Sequence, residues 1–172
     1  QFLDDGPNAQ VNAAAALDQL VLDETRPVGT DTPGAGAPSG DDSATANFAD
    51  NFILPADFGA DGAGTVNYQL LLSANGIASG LYALDAADNS AVDGDGIGQG
   101  ASITLSQVGN TITGSAGGTD YFTISIDPNT GVVTFTQLNP IWHPTSGSSY
   151  DEAATLSTAA AANVQVQQTL TD

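Results

Sequence analysis

The chain has 172 residues, enough for one domain that buries about two-thirds of the surface its unfolded form exposes, and its 20 Gly and 8 Pro announce many tight loops. Its 20 acidic residues face a single basic one, Arg26, for a formal net charge of −19; this excludes nucleic acid and anionic lipid as partners, since both require a basic surface, and it leaves self-repulsion that an external cation must offset. Cysteine is absent, which excludes disulfides and thiolate metal sites, and no apolar run approaches the roughly 20 residues of a membrane span, so membrane insertion is not expected.

Residues 1–8 (QFLDDGPN) read as an extended tail and an acidic turn, because Asp4-Asp5-Gly6-Pro7 stops any regular element. Residues 1–10 are therefore expected to be a linker from a preceding module, and 11–172 one folded module. Residues 11–22 fit either a helix, on their Ala run, or an incoming strand that carries Leu20, Val21 and Leu22 up to Asp23 and Glu24. Residues 29–43 (GTDTPGAGAPSGDDS) have almost nothing to bury and predict a long loop. Residues 46–54 predict a turn of helix or an irregular strand bearing Phe48, Phe52 and Ile53.

Strand signals dominate the remainder. Residues 65–73 (TVNYQLLLS) alternate and then turn continuously apolar, 102–108 (SITLSQV) alternate cleanly, and 111–113 follow a Gly109-Asn110 turn. Residues 121–126 (YFTISI) and 132–138 (VVTFTQL) flank a hairpin loop in which Pro128 starts the turn and Gly131 takes the left-handed position. Residues 153–162 are Ala-rich and fit a short helix or a loop. Residues 163–170 (NVQVQQTL) alternate as a final strand, after which Thr171-Asp172 read as a module trimmed at a strand end. Short strands with turn signals about every ten residues predict a mainly all-β fold, an antiparallel β-sandwich with long loops and at most short helices.

Three loops could carry chemistry. Residues 85–100 (DAADNSAVDGDGIGQG) set Asp85, Asp88, Asn89, Asp93 and Asp95 among glycines. The spacing Asp93-x-Asp95 turns two carboxylates toward one centre, while Gly94 and Gly96 permit the bend and open backbone to a ligand. Hard oxygen donors in such excess, with one His and no Cys, suit Ca2+ rather than zinc. The bidentate Glu of an EF-hand is missing, and a solvated acidic turn is the alternative reading. Glu24, with Asp23, Asp4 and Asp5, is a second candidate: calcium there would stiffen a joint between tandem modules, where the alternative is a solvated linker. The third stretch, residues 139–152 (NPIWHPTSGSSYDE), gathers the only Trp and the only His with Tyr150, Asp151 and Glu152. Trp142, His143, Tyr150 and Asp151 have the composition of a recognition surface; equally, Trp142 could cap the core and His143 bond a backbone carbonyl. No G-x-S-x-G elbow occurs and the acidic pairs lack substrate-stacking aromatics except near Trp142, so an enzyme is not expected.

The turn Phe2-x-Asp4-Asp5-Gly6-Pro7, the stretch Leu20-Val21-Leu22-Asp23-Glu24-Thr25, Ile103-Thr104-Leu105-Ser106-Gln107, the run from Gly114 through Gly117-Gly118-Thr119-Asp120-Tyr121-Phe122 to Asp127, and Gly131-Val132-Val133-Thr134 with Gln137-Leu138 together resemble repeat modules of giant RTX adhesins exported by type I secretion. The likeness is nearest to their calcium-dependent peptide-binding domain. It implies an extracellular module on a bacterial cell surface, monomeric in itself, joined to adjacent modules of the same adhesin. It also implies a bound calcium that receives the C-terminal carboxylate of a peptide or protein on another cell, in adhesion and biofilm formation. Residues 85–100 are where that calcium is expected. Other modules of such adhesins are spacers; a spacer of immunoglobulin type needs only about 100 residues, and the excess here lies in the loops.

Overall fold

Alternating apolar residues build two antiparallel sheets in the computed structural model, which describes residues 6–16, 18–22, 43–59, 62, 64–90, 94–144 and 154–172. The strands are β1 (Ser43–Asn47), β2 (Thr65–Leu72), β3 (Ile77–Leu84), β4 (Gln99–Val108), β5 (Thr111–Ala116), β6 (Thr119–Ile126), β7 (Val132–Gln137) and β8 (Val164–Thr171). Six of them form one sheet in the order β1-β7-β6-β5-β4-β3, and β2 pairs with β8 in a second. Among the described residues no α-helix occurs, and 3₁₀ turns lie at Phe48–Asn51 and Ala161–Asn163, so the expected all-β class holds.

Burial follows the period of two that a strand imposes. Ile103, Leu105, Ile112, Phe122 and Val133 on the large sheet are almost fully enclosed, and Tyr68 and Leu70 of β2 close over them. Gly114 lies directly opposite Phe122 in the β5–β6 register, and the Phe122 ring occupies the space a Cβ would take. This lets the ring lie flat over the backbone and stack on Phe135, with centroids 5.3 Å apart.

Gln107 joins the two sheets. Its Nε2 donates to the Leu70 carbonyl at 2.6 Å, and its Oε1 accepts from the Leu72 N–H at 2.6 Å. The Pro128 carbonyl takes the Tyr68 N–H at 2.9 Å. One edge of β2 is thus closed by a side chain and a turn rather than by a strand, which satisfies backbone groups that burial would otherwise penalise.

Strand β3 was not anticipated from IASGLYAL, because its pairing with β4 shifts register between Ala78 and Tyr82. Ser79 is fully buried there; its Oγ donates to the Ile103 carbonyl at 2.8 Å and accepts from the Leu81 N–H at 3.1 Å. Gly80 follows at φ +79, with the Ser157 carbonyl where a Cβ would stand. The ambiguous stretch at 11–22 is neither helix nor strand in its described residues: Val11 makes one bridge to Phe52, and a turn follows at Asn12. Within the expected linker, Asn8 donates to the Asp57 carbonyl at 2.8 Å and the Gln10 carbonyl accepts from Ile53 at 2.8 Å, so this backbone is docked. Residues 46–54 combine both options, since β1 ends at Asn47, whose Oδ1 caps the first 3₁₀ turn at the Ala49 N–H, 3.1 Å away. The long loop predicted at 29–43 lies outside the described residues apart from Ser43.

Candidate functional site: the β3–β4 loop and Trp142

Adjacent antiparallel strands need a connection of about two to five residues, yet β3 and β4 are joined by residues 85–98. The base of this loop is tied where the Asp85 N–H donates to the Gly98 carbonyl at 2.8 Å. Asp85 then starts a turn: its Oδ1 accepts from the Ala87 N–H at 2.9 Å, in the local pattern that Asp favours. Asp88 spans the loop, with Oδ1 accepting from Ser90 N–H at 3.1 Å and Oδ2 from Gly98 N–H at 2.8 Å. Each carboxylate oxygen has two lone pairs, so these bonds leave acceptor capacity for a hard cation.

The far arm of the loop rests on Trp142. The indole Nε1 donates to the Ile97 carbonyl at 2.9 Å, and its six-membered ring fills the place where a Cβ on Gly96 would lie. A Cβ placed on Gly98, whose φ is +78, would lie 3.6 Å from the same indole. Trp142 is itself anchored through its N–H to the Tyr82 carbonyl at 2.9 Å and by an edge-on contact with the Tyr82 ring, centroids 6.0 Å apart. The neighbouring Ile141 bridges Ala83 and is buried. Residues 140–142 therefore run along the β3 edge and present the indole as a floor for the 85–98 loop.

This geometry brings Asp85, Asp88, Gly96 and Trp142 into one unit. Gly94 has open space where a Cβ would point, and its φ of +99 is a backbone conformation that favours glycine. Asn89 and Asp95 belong to the same loop. Among the described residues no group of three or more His, Asp or Glu side chains converges as a metal cluster. Asp93, Glu24, Tyr150 and Asp151 lie outside the described residues. His143 sits half-buried at a separate cavity of about 550 Å³ between the inner face of the large sheet and residues 19–22 and 154–156, walled by Leu20, Leu81, Ile124, Phe135 and Leu156. That cavity escaped sequence reasoning, since its walls come from distant segments whose apolar residues read as ordinary core.

Fold and loop together define an all-β domain with a tied, acidic, glycine-hinged loop on an aromatic floor. The chain belongs to the DUF5801 family, a domain of unknown function, whose family model matches residues 19–172. No curated protein and no solved structure matches it.

Proposed function

We propose that this domain is a calcium-dependent ligand-binding module of an extracellular bacterial adhesin, with the 85–98 loop as its binding loop and a peptide C-terminus as its ligand. The carrying observation is the loop itself. It is far longer than its connection requires, it is acidic, and its described residues are held by Asp88 and Trp142. A loop ordered before binding loses less entropy when a ligand arrives. A chain with 20 acidic residues and one basic one has an unmet demand for cations, and carboxylates in a glycine-rich loop are suitable donors for calcium. Calcium bound there would in turn offer a positive centre to an anionic peptide end. Secretion by a type I system and a place on the cell surface follow from the resemblance to RTX adhesin modules.

One observation favours a second reading, a spacer module with calcium only at its joints: both Asp88 oxygens already serve the loop's own backbone. Calorimetric titration separates the two. Calcium is added first, then short peptides with a free C-terminal carboxylate, and the series is repeated in excess EGTA. The binding reading expects heat from both additions and none from peptide in EGTA. Heat from calcium alone supports the spacer, and no heat from calcium refutes both.

A further inference from the structure

The two edges of the β2–β8 sheet are finished differently. Ser73 N–H donates to the Asn163 carbonyl at 2.9 Å, in line with the register that pairs Leu72 with Val164. In an antiparallel ladder such bonded pairs recur at every second residue, so the odd-numbered residues of both strands bond each other. The even-numbered ones direct their N–H and C=O groups outward. On β2 those outward groups are met at Tyr68, Leu70 and Leu72 by Pro128 and Gln107. On β8 the corresponding groups of Val164, Val166, Gln168 and Leu170 have no partner among the described residues.

Exposed edges are normally blunted by charge, Pro or a bulge, but β8 (VQVQQTLT) contains no charged residue, no Pro and no Gly, and its pairing with β2 is unbroken. A groove of about 290 Å³ lies here, between residues 165–168 and the docked segment 9–11, with Phe52 in its wall. Gln168 lines it and is only 7% exposed; its Nε2 donates to Tyr68 Oη at 3.2 Å, while its Oε1 is buried without a partner among the described residues. A buried acceptor left unmet carries a desolvation cost that an incoming donor would remove.

We propose that the β8 edge is a strand-addition site, which takes an extended peptide of another protein as the third strand of the β2–β8 sheet. Backbone bonds to Val166 and Gln168 would supply affinity, and a Ser, Thr or Asn side chain opposite Gln168 would satisfy its Oε1. The net charge of −19 sets the rest of the chemistry: an acidic segment, or a second copy of this chain, is repelled, and a strand flanked by Lys or Arg is attracted. The site shares no residue with the 85–98 loop and contains no carboxylate, so it works without calcium.

The test uses the whole domain in excess EGTA and a pool of short peptides with Lys at both ends, alternating Thr with Val, Ile, Ser or Asn, acetylated and amidated. Blocking the peptide termini silences any site that reads a C-terminal carboxylate, so this result is independent of the calcium-dependent reading. Saturable binding is expected, with amide exchange at Val166 and Gln168 slowed about tenfold or more. N-methylation of the peptide amides that face β8 should weaken binding about tenfold or more, as should replacing Lys by Glu at low salt. Val166→Pro removes an outward N–H and spares the ladder to β2, so it should weaken binding similarly. If that variant unfolds, the N-methylated peptides probe the same bonds from the ligand's side. The proposal is overturned by no binding at millimolar peptide, by equal binding of N-methylated peptides, or by dimerisation of the free domain through β8 in sedimentation.

Discussion

Gly96→Ala is the sharpest probe of the loop, because the six-membered ring of Trp142 occupies the position of the added methyl group. The indole cannot swing away without breaking its Nε1 bond to Ile97 or its edge contact with Tyr82. The loop must therefore lift. Overpacking of this kind costs about 1–3 kcal/mol, which for a domain of this length corresponds to a fall of about 2–12 °C in melting temperature. Since Trp142 is the only Trp, its emission reports the loop directly. Gly96→Ala should shift that emission to the red as water reaches the ring. Gly94→Ala is the control: it bears a left-handed φ of +99 but faces open space, so it should lose some stability with no spectral change. Identical emission from Gly96→Ala and the parent protein would show that the loop does not rest on the indole.

Gly114→Val should be the most damaging single change in the large sheet, by at least about 1–3 kcal/mol, because its side chain would enter the Phe122 ring in a core with no room to yield; a denaturant midpoint that stays put would refute the packing. Gln107→Leu strands the Leu70 carbonyl and the Leu72 N–H at about 1–3 kcal/mol per group. Exchange of the Leu72 amide should accelerate while that of Tyr68, held by Pro128, stays slow; equal acceleration of both would mean that Gln107 is not the clamp. In millimolar calcium the domain should melt higher than in sodium chloride of equal ionic strength, since screening treats both salts alike and coordination does not; superimposable curves would remove calcium from the proposed function.

How far the fold was legible depended on whether one period governed a segment. Strands β4, β6, β7 and β8 were readable because each keeps one face apolar along most of its length. Strand β3 was not, since Ser79 and Gly80 look like a turn and become intelligible only against Ile103 and Ser157, far away in the chain. The same limit applied at the candidate site. The sequence marked 85–100 as special through its acids and glycines, but it could not show that Asp88 holds the loop's own backbone or that Trp142 lies beneath Gly96. Both are contacts between segments, and composition alone left recognition surface and core cap equally open for Trp142. The edge roles of Gln107 and Gln168 were hidden for a related reason: within an alternating strand a Gln reads as the solvent face.

The distribution of charge connects the fold to the loops. Asp120 is the only one of the 20 acidic residues found within the described strands, and its Oδ1 accepts from Ser115 Oγ at 2.7 Å. The sheets obtain their polar faces from hydroxyls instead, and Ser106, Thr113, Thr123 and Thr136 follow one another in register across β4, β5, β6 and β7. Like charges set opposite each other across strands would be destabilising, and this arrangement avoids them. Among the described residues the negative charge is thereby kept out of the sheets, apart from Asp120, and lies in the segments outside the strands. A cation that offsets it acts on loop conformation far more than on strand pairing. If calcium is that cation, as in the proposed function, the sheets would stay formed while the loops respond to it, a division suited to the proposed binding module.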